Sequence, residues 1–412
     1  LIPYEKAKEL LMNSRVIENH RNAVESLHLW EAGGRILAED IIAGEDVPPF
    51  DRSPVDGYAV IASDTVAAAE EDPVILEVTG SIAAGTTSEY RLSPGTAIKI
   101  FTGAPLPEYA NCIVKTEDVF ESFFVDEKEF IKLTHPVASG EVIAFKGEDI
   151  QCGETMLLKG SIINPACIGI LATLGVSTVP VFKKPLIGIF STGDELVNVE
   201  NQLKHGQLRA SNIYTLSEII RLSGCEPVNL GVIKDSIDDI LSVYCTALKL
   251  DLPVIISTGG TASGDKDLIK EAMIKLGSSR LFNKVAIRPG APVVASEMEE
   301  RLLIGLSGNP SGSTVGALTL LMPFISKMAG RIKELDRVRA ILKGSIFRHG
   351  GLRAFLWGNC CYDKDIYQVE ANNNQFCGAV RSFASSNCLI DVPAGKVNLS
   401  TGDSVEILRF SV

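Results

Sequence analysis

Between residues 186 and 328 the sequence alternates short, almost uninterrupted apolar runs with segments of helical periodicity. The runs at 186–190, 227–232, 253–257 and 302–306 read as strands, and about 212–223, 237–248, 267–276 and 310–328 read as helices. Strands that lack polar alternation must be covered on both faces, so this region is predicted to form a parallel sheet with helices on either side. Its first helix carries one apolar stripe (Ile213, Leu216, Ile219, Ile220 and Leu222), with Ser211 as a candidate N-cap and Gly224 as a stop.

Outside that region the texture differs. The N-terminal segment reads as one or two amphipathic helices, with Ala7, Leu10 and Leu11, then Val24 and Leu27, at helical spacing before Gly33-Gly34 stops the run. Residues 35–41 read as a strand. From 47 to 145, β-rich runs at 57–61, 74–79, 96–101 and 111–114 are separated by Gly, Pro and Ser turns, the pattern of a mostly β domain inserted into the chain. A second change at 180–185 opens the α/β domain, assigned to 181–329. From 330 to 412, strands at 339–345, 368–370, 388–392 and 404–410 read as a small terminal β-barrel or sandwich. A chain of 412 residues, 46% hydrophobic, has core material for several domains.

Charge excludes some functions. With 39 Lys+Arg against 51 Asp+Glu, the net charge of −12 argues against a nucleic-acid or anionic-membrane surface. No apolar run reaches the roughly 20 residues of a membrane span. The N-terminus lacks the basic-then-apolar order of a secretory signal. The nine cysteines form no Cys-x-x-Cys pair and the five histidines are scattered, so zinc is not indicated. Reduced and mostly buried thiols in a cytoplasmic protein are expected.

Three of the predicted strands run into loops rich in glycine, hydroxyls and acids. They are Ser191-Thr192-Gly193-Asp194-Glu195, Ser257-Thr258-Gly259-Gly260-Thr261-Ala262-Ser263-Gly264-Asp265-Lys266-Asp267, and Gly305-Leu306-Ser307-Gly308-Asn309-Pro310-Ser311-Gly312-Ser313. In an open α/β sheet, ligands bind beyond the carboxyl ends of the strands. Glycine there lets backbone N–H groups approach an anion, and a following helix N-terminus adds partial positive charge. Carboxylates beside such a cradle are unfavourable unless a cation intervenes. Asp265 and Asp267 face that problem most directly, with Glu195 and Asp235 as helpers, and Mg²⁺ held by one or two of them and by ligand phosphates would resolve it. The alternative for Asp265 or Asp267 is a carboxylate that merely favours a helix N-terminus. Lys284 and Arg288 would point to the same side of a strand, where they could hold a phosphate or oxyanion, or be a plain solvated pair.

The string Pro48-Pro49-Phe50-Asp51-Arg52-Ser53-Pro54-Val55-Asp56-Gly57-Tyr58-Ala59-Val60 is an extended entry followed by a tight turn and a strand. By composition it is a rigid loop at a domain boundary. No Walker loop, Ser-centred nucleophile elbow or His-Glu-x-x-His is present.

Taken together, these segments resemble the MoeA family of molybdopterin molybdenumtransferases, to which the gephyrin E domain also belongs. The resemblance runs in order through Gly34-Arg35-Ile36-Leu37-Ala38-Glu39-Asp40, Ser53-Pro54-Val55-Asp56-Gly57-Tyr58-Ala59-Val60, Phe101-Thr102-Gly103-Ala104-Pro105, Gly147-Glu148-Asp149-Ile150, the loop from Ser191, the Gly259-Gly260 loop, Arg288-Pro289-Gly290 and Gly308-Asn309-Pro310. It implies an extended N-terminal domain (1–46 with 146–180), the inserted β-rich domain (47–145), an α/β domain like the molybdopterin adenylyltransferases, and a C-terminal β-barrel. It further implies a homodimer whose cleft joins the α/β domain of one subunit to the inserted domain of the other.

The family reaction inserts molybdate into the dithiolene of adenylylated molybdopterin, with Mg²⁺-dependent release of AMP. Molybdopterin adenylyltransferase and molybdoenzyme apoproteins become candidate partners. By motif match, the catalytic set is Asp56, Thr102, Asp149, Glu195, Asp235, Lys284 and Arg288. Ser191, Thr192, Gly193, Asp194, Gly259, Gly260, Gly264, Gly308, Asn309, Pro310 and Ser382 would bind the nucleotide-linked pterin. Asp265, Asp267 and Glu195 would place the metal. The sequence departs from the family at Thr261-Ala262-Ser263, where Val-Ser-Val is usual, at Ala291 in place of Lys, and at Ser307 in place of Pro. These departures bear on turnover and oxyanion affinity more than on fold. A non-catalytic carrier or scaffold on the same fold is the alternative, and an unrelated phosphotransferase a remoter one.

Overall fold

The computed structural model describes residues 1–19, 23–86, 90–260, 267–331, 334–348 and 350–410. The chain forms two compact units, one of Leu1–Ser26 with Pro180–Val412 and one of Leu27–Val179.

The first unit is built on a six-stranded sheet in the order Glu226–Ile233, Leu186–Thr192, Val254–Thr258, Arg301–Leu306, Val294–Met298, Ser279–Phe282. The first four strands are parallel, as the alternation predicts. The sheet is nevertheless mixed, because Val294–Met298 runs antiparallel to both its neighbours. Only Glu299 and Glu300 separate Met298 from its ladder partner Arg301, and so short a link cannot make a parallel crossover. Both faces are covered. Ile187, Ile189, Val254, Ile256 and Ile304 pack with the helices Ser211–Leu222 and Met322–Met328. The intervening Phe190, Ile255 and Leu303 pack with Ile237–Lys249 and Leu268–Lys275. Each such side chain contributes about 1.5–3 kcal/mol of burial, which is why these strands read as continuous apolar runs.

Three local expectations change. Ser211 is the first residue of its helix rather than the cap; Ala210 occupies the cap position and supplies no side-chain acceptor. The predicted helix over 310–328 is Pro310–Gly316, a π-helical segment Ala317–Leu321, and Met322–Met328. Pro323 has no N–H to give the Thr319 carbonyl, so the ladder widens there. The Tyr4 hydroxyl supplies the missing donor, bonding Thr319 O at 3.0 Å. Tyr4 lies in the N-terminal helix Tyr4–Met12, beneath the Arg353 guanidinium (4.5 Å from the ring centroid) and edge-on to Phe355. The helical spacing of Val24 and Leu27 is misleading, since Val24–His28 is a strand paired with Thr178–Phe182. Its burial alternates with period two, a pattern that so short a segment does not distinguish from helix by composition.

The C-terminal strands close into a five-stranded barrel. The order is Arg353–Asp363, Ile366–Ala371, Asp336–Leu342, Ser404–Arg409, Cys388–Val392, and the last pairs back to the first. Arg353–Asp363, the longest strand, escapes the sequence reading because Gly358, Asn359 and two cysteines interrupt its apolar pattern. Buried Asp391 is gripped by Arg353 (Nε to Oδ1, 2.8 Å) and Arg337 (Nη1 to Oδ2, 2.8 Å). Trp357 Nε1 donates to Ser311 Oγ at 2.7 Å, fastening the barrel to the start of the helix Pro310–Gly316.

In the second unit a six-stranded sheet runs Cys112–Lys115, Gly57–Val60, Thr96–Ile100, Val74–Ile82, Lys128–Leu133, Glu121–Val125. The last two strands form a hairpin turned by Asp126 and Glu127, both at positive φ. The strand expected at 35–41 is instead an isolated bridge, Ile36 to Ile162, followed by the two-residue strand Ile41–Ile42. The segment's backbone bonds go to single groups (Gly34 N to Ile163 O, Leu37 N to Ser161 O) rather than to a ladder. All nine cysteines are free thiols, but only Cys112, Cys167, Cys225 and Cys388 are buried. Others, such as Cys245, sit on outward faces of their elements, so the expectation of mostly buried thiols does not hold.

Candidate functional site

Thr192, Thr258 and Leu306 end adjacent parallel strands, and the loops that follow meet at one cavity of about 640 Å³. Ser191, Thr192 and Glu195 line it from the first loop, Gly259 and Gly260 from the second, and Gly308, Asn309 and Pro310 from the third. Asp235, just after the strand Glu226–Ile233, completes that wall. Absence of side chains is what permits the convergence. Gly259 has φ +86°, and a Cβ there would lie 2.1 Å from Thr192 O; a Cβ on Gly308 would lie 3.2 Å from Gly259 Cα.

The floor is a short hydroxyl network. Ser191 Oγ and Thr258 Oγ1 are 2.7 Å apart, and Thr192 Oγ1 donates to Asp235 Oδ1 at 2.6 Å. Asp194 does not line the cavity; its carboxylate accepts the Asp235 N–H at 3.3 Å and so positions that acid. Gly193 likewise serves the backbone, its N–H bonding Ile233 O at 3.1 Å. Ser307, the residue in place of proline, accepts the Asn309 N–H on its Oγ at 3.2 Å.

Other expected residues fall elsewhere. Asp267 caps the helix Leu268–Lys275, accepting the Lys270 N–H at 3.1 Å and ion-pairing with the Lys270 ammonium. That is the helix-terminus reading, and Asp267 is not among the residues that line the cavity. Gly264 and Asp265 lie outside the described residues. Lys284 and Arg288 do not share one strand, because a tight turn closed by Ile287 N to Val285 O (2.8 Å) divides them, and neither lines the cavity. Ser382 is buried, donating to Asn374 O, while its neighbours Gly378 and Val380 reach the cavity wall.

In the second unit, Asp56 and Thr102 do meet. Asp56 Oδ1 accepts both the N–H and the hydroxyl of Thr102 at 2.8 Å, and these bonds hold its carboxyl below the ordinary range. Asp149 is exposed, its N–H tied to Val47 O at 3.0 Å.

Sequence reasoning missed a further part of the lining, formed by Leu208, Arg209, Ala210, Ser211 and Asn212. Leu208–Arg209 pairs with Leu196–Val197, and Asn212 Nδ2 donates to Gly308 O at 2.8 Å, tying this segment to the first and third loops. The available signal was positional: these residues open a helix on the same sheet edge as the loops. Among the described residues no cluster of three metal-ligating side chains exists. Glu195, Asp235 and the Thr192 hydroxyl share the cavity, however, a donor set that suits Mg²⁺, which takes one or two carboxylates and completes its shell with phosphate and water.

Fold and cavity together define a class: an α/β domain with a polar, glycine-bearing cavity at the carboxyl edge of its sheet, joined to a small β-barrel. Sequence comparison carries this further. Residues 2–175 match the MoeA N-terminal region (domain I and II), 188–327 match a family described as "Probable molybdopterin binding domain", and 339–410 match the MoeA C-terminal region (domain IV). A molybdopterin molybdenumtransferase of Bacillus subtilis is 36% identical over 375 residues, covering 91% of this chain and 87% of the relative. Another, from Staphylococcus aureus, is 30% identical over 408 residues, with 99% and 95% covered. Two structures of a molybdopterin biosynthesis MoeA protein from Pyrococcus horikoshii, 30% identical and fully covered, superimpose with TM-scores of 0.86 and 0.78. The chain belongs to the MoeA family.

Proposed function

We propose that this protein is a molybdopterin molybdenumtransferase that inserts molybdate into the dithiolene of adenylylated molybdopterin and releases AMP. The observation that carries the reading is the convergence of three strand-end loops, two of them lined by glycine, on one acid-bearing cavity, in a chain whose relatives carry that name. The Gly259-Gly260 and Gly308-Asn309 loops offer backbone groups to the phosphate region of the nucleotide-linked pterin. Asp235, oriented by Thr192 and Asp194, and Glu195 are the residues that would hold Mg²⁺. When bound, that ion supplies positive charge against the phosphates. The residues' own contribution is to orient the phosphate region and keep it in place while AMP separates, which is electrostatic positioning rather than covalent catalysis. The cytoplasm, a homodimer, and cleft contributions from Asp56, Thr102 and Asp149 belong to the same proposal. So does exchange with an adenylyltransferase and molybdoenzyme apoproteins.

The test is incubation with adenylylated molybdopterin, Mg²⁺ and molybdate. AMP release coupled to metal insertion is the expected result. Asp235→Asn should lower release about 100-fold with little change in melting temperature, on the scale of removing one preorganised charged group. A carrier role has one observation in its favour, since Asp267, Lys284 and Arg288 do not line the cavity. Tight pterin binding without AMP release would establish that role instead.

A further inference from the structure

Glu195 and Asp235 place two negative charges on the cavity that an anionic ligand must enter. The cations expected to offset them, Lys284 and Arg288, do not line it; Arg209 does. Arg209 ends the two-residue strand Leu208–Arg209 and directly precedes Ala210, the cap position of the helix Ser211–Leu222. Its guanidinium is already held, since Nε donates to Val199 O at 3.0 Å and Nη2 to Asn201 O at 3.3 Å. Both acceptors are neutral carbonyls. Among the described residues no carboxylate pairs with Arg209 and Nη1 has no protein acceptor, so the positive charge is fixed in place yet not neutralised.

We propose that Arg209 is an anion-binding residue of this cavity, its free guanidinium edge taking a tetrahedral oxyanion of the reaction, either the nucleotide phosphate or molybdate. The assignment rests on the nucleotide-linked pterin reading above. Three physical points support it. A planar guanidinium matches oxyanions through charge-assisted N–H···O bonds. A side chain tethered in advance loses little rotamer entropy when the ligand arrives. The neighbouring Asn212 holds Gly308 O at 2.8 Å, so the arginine and the third glycine loop keep a set separation. Backbone bonds from Leu208 N to Glu195 O (2.8 Å) and from Ala210 N to Val197 O (3.0 Å) likewise fix Arg209 beside the first loop.

Calorimetric titration of AMP with Mg²⁺, and separately of sodium molybdate, into wild type, Arg209→Gln and Arg209→Lys at low and high salt tests the assignment. Arg209→Gln should weaken one of the two ligands about tenfold or more and flatten its salt dependence. Arg209→Lys, which keeps the charge, should fall between. The ligand affected identifies the oxyanion. If wild type binds AMP or molybdate and Arg209→Gln binds them equally well, the assignment is wrong while the nucleotide reading stands. Equal weakening by both variants with unchanged salt dependence would overturn it too, because only the tether to Val199 and Asn201 would then matter. If wild type binds neither ligand, the nucleotide reading itself fails and takes Arg209 with it.

Discussion

At the residue scale the most telling side chains repair a backbone or fix an acid. Tyr4 repairs a carbonyl that Pro323 cannot serve, 315 positions along the chain. Burial pushes its phenol up to about 12, so it remains a donor at any physiological pH. Tyr4→Phe keeps the ring and leaves Thr319 O without its partner, and should lower unfolding free energy by about 1–2 kcal/mol in urea titration. Asp56 and Thr102, which composition leaves in a rigid loop and only the family resemblance marks as site residues, are joined by the fold. Because the folded carboxyl titrates below its ordinary value of 3.8, its contribution to stability is complete above that value and is lost as pH falls through the lowered one. An NMR titration should place the Asp56 midpoint below 3.8, and Thr102→Val should move it back upward. Lys284 and Arg288 mark the opposite outcome. Their spacing suggested a shared face, but a turn at Val285–Ile287 breaks the alternation that spacing arguments assume.

At the scale of elements, strand-to-helix turns do the positioning. Gly259 is where the argument is sharpest: positive φ and the approach to Thr192 O both forbid a side chain. Gly259→Ala should displace the loop, at a local cost of about 1–3 kcal/mol, and abolish AMP binding while far-ultraviolet circular dichroism stays native. Strands of the central sheet were readable because each is apolar on both faces. The edge strand Ser279–Phe282 and its neighbour Val294–Met298 were not, because both are short and carry polar residues (Ser279, Arg280; Ser296, Glu297) that break the apolar run. Barrel strands with mixed composition were likewise recovered only in part. Their place depends on a ladder closed between Arg353–Asp363 and Cys388–Val392, a long-range pairing that local composition does not encode.

At the scale of the molecule, the chain leaves the first unit and returns to it through the paired strands Val24–His28 and Thr178–Phe182. Leu29 N and Ser177 O are 3.0 Å apart, so the two ends of Leu27–Val179 lie together, as the ends of an inserted unit must. A fragment of residues 27–179, with its own apolar clusters around Tyr58 and Ile98, should fold alone and melt in one cooperative transition by circular dichroism. Sequence alone determined the doubly covered sheet and the glycine loops at its carboxyl edge. Apolar strands have to be covered, and only glycine admits such close backbone approach. Tertiary structure decided which charges face the cavity, with Glu195, Asp235 and Arg209 lining it, Asp267 capping a helix, and Lys284 and Arg288 outside the lining. That choice is made by loop pairings such as Leu196–Val197 with Leu208–Arg209 and by bonds such as Asn212 to Gly308, and side-chain direction at such places follows from packing across the fold, not from spacing along the chain.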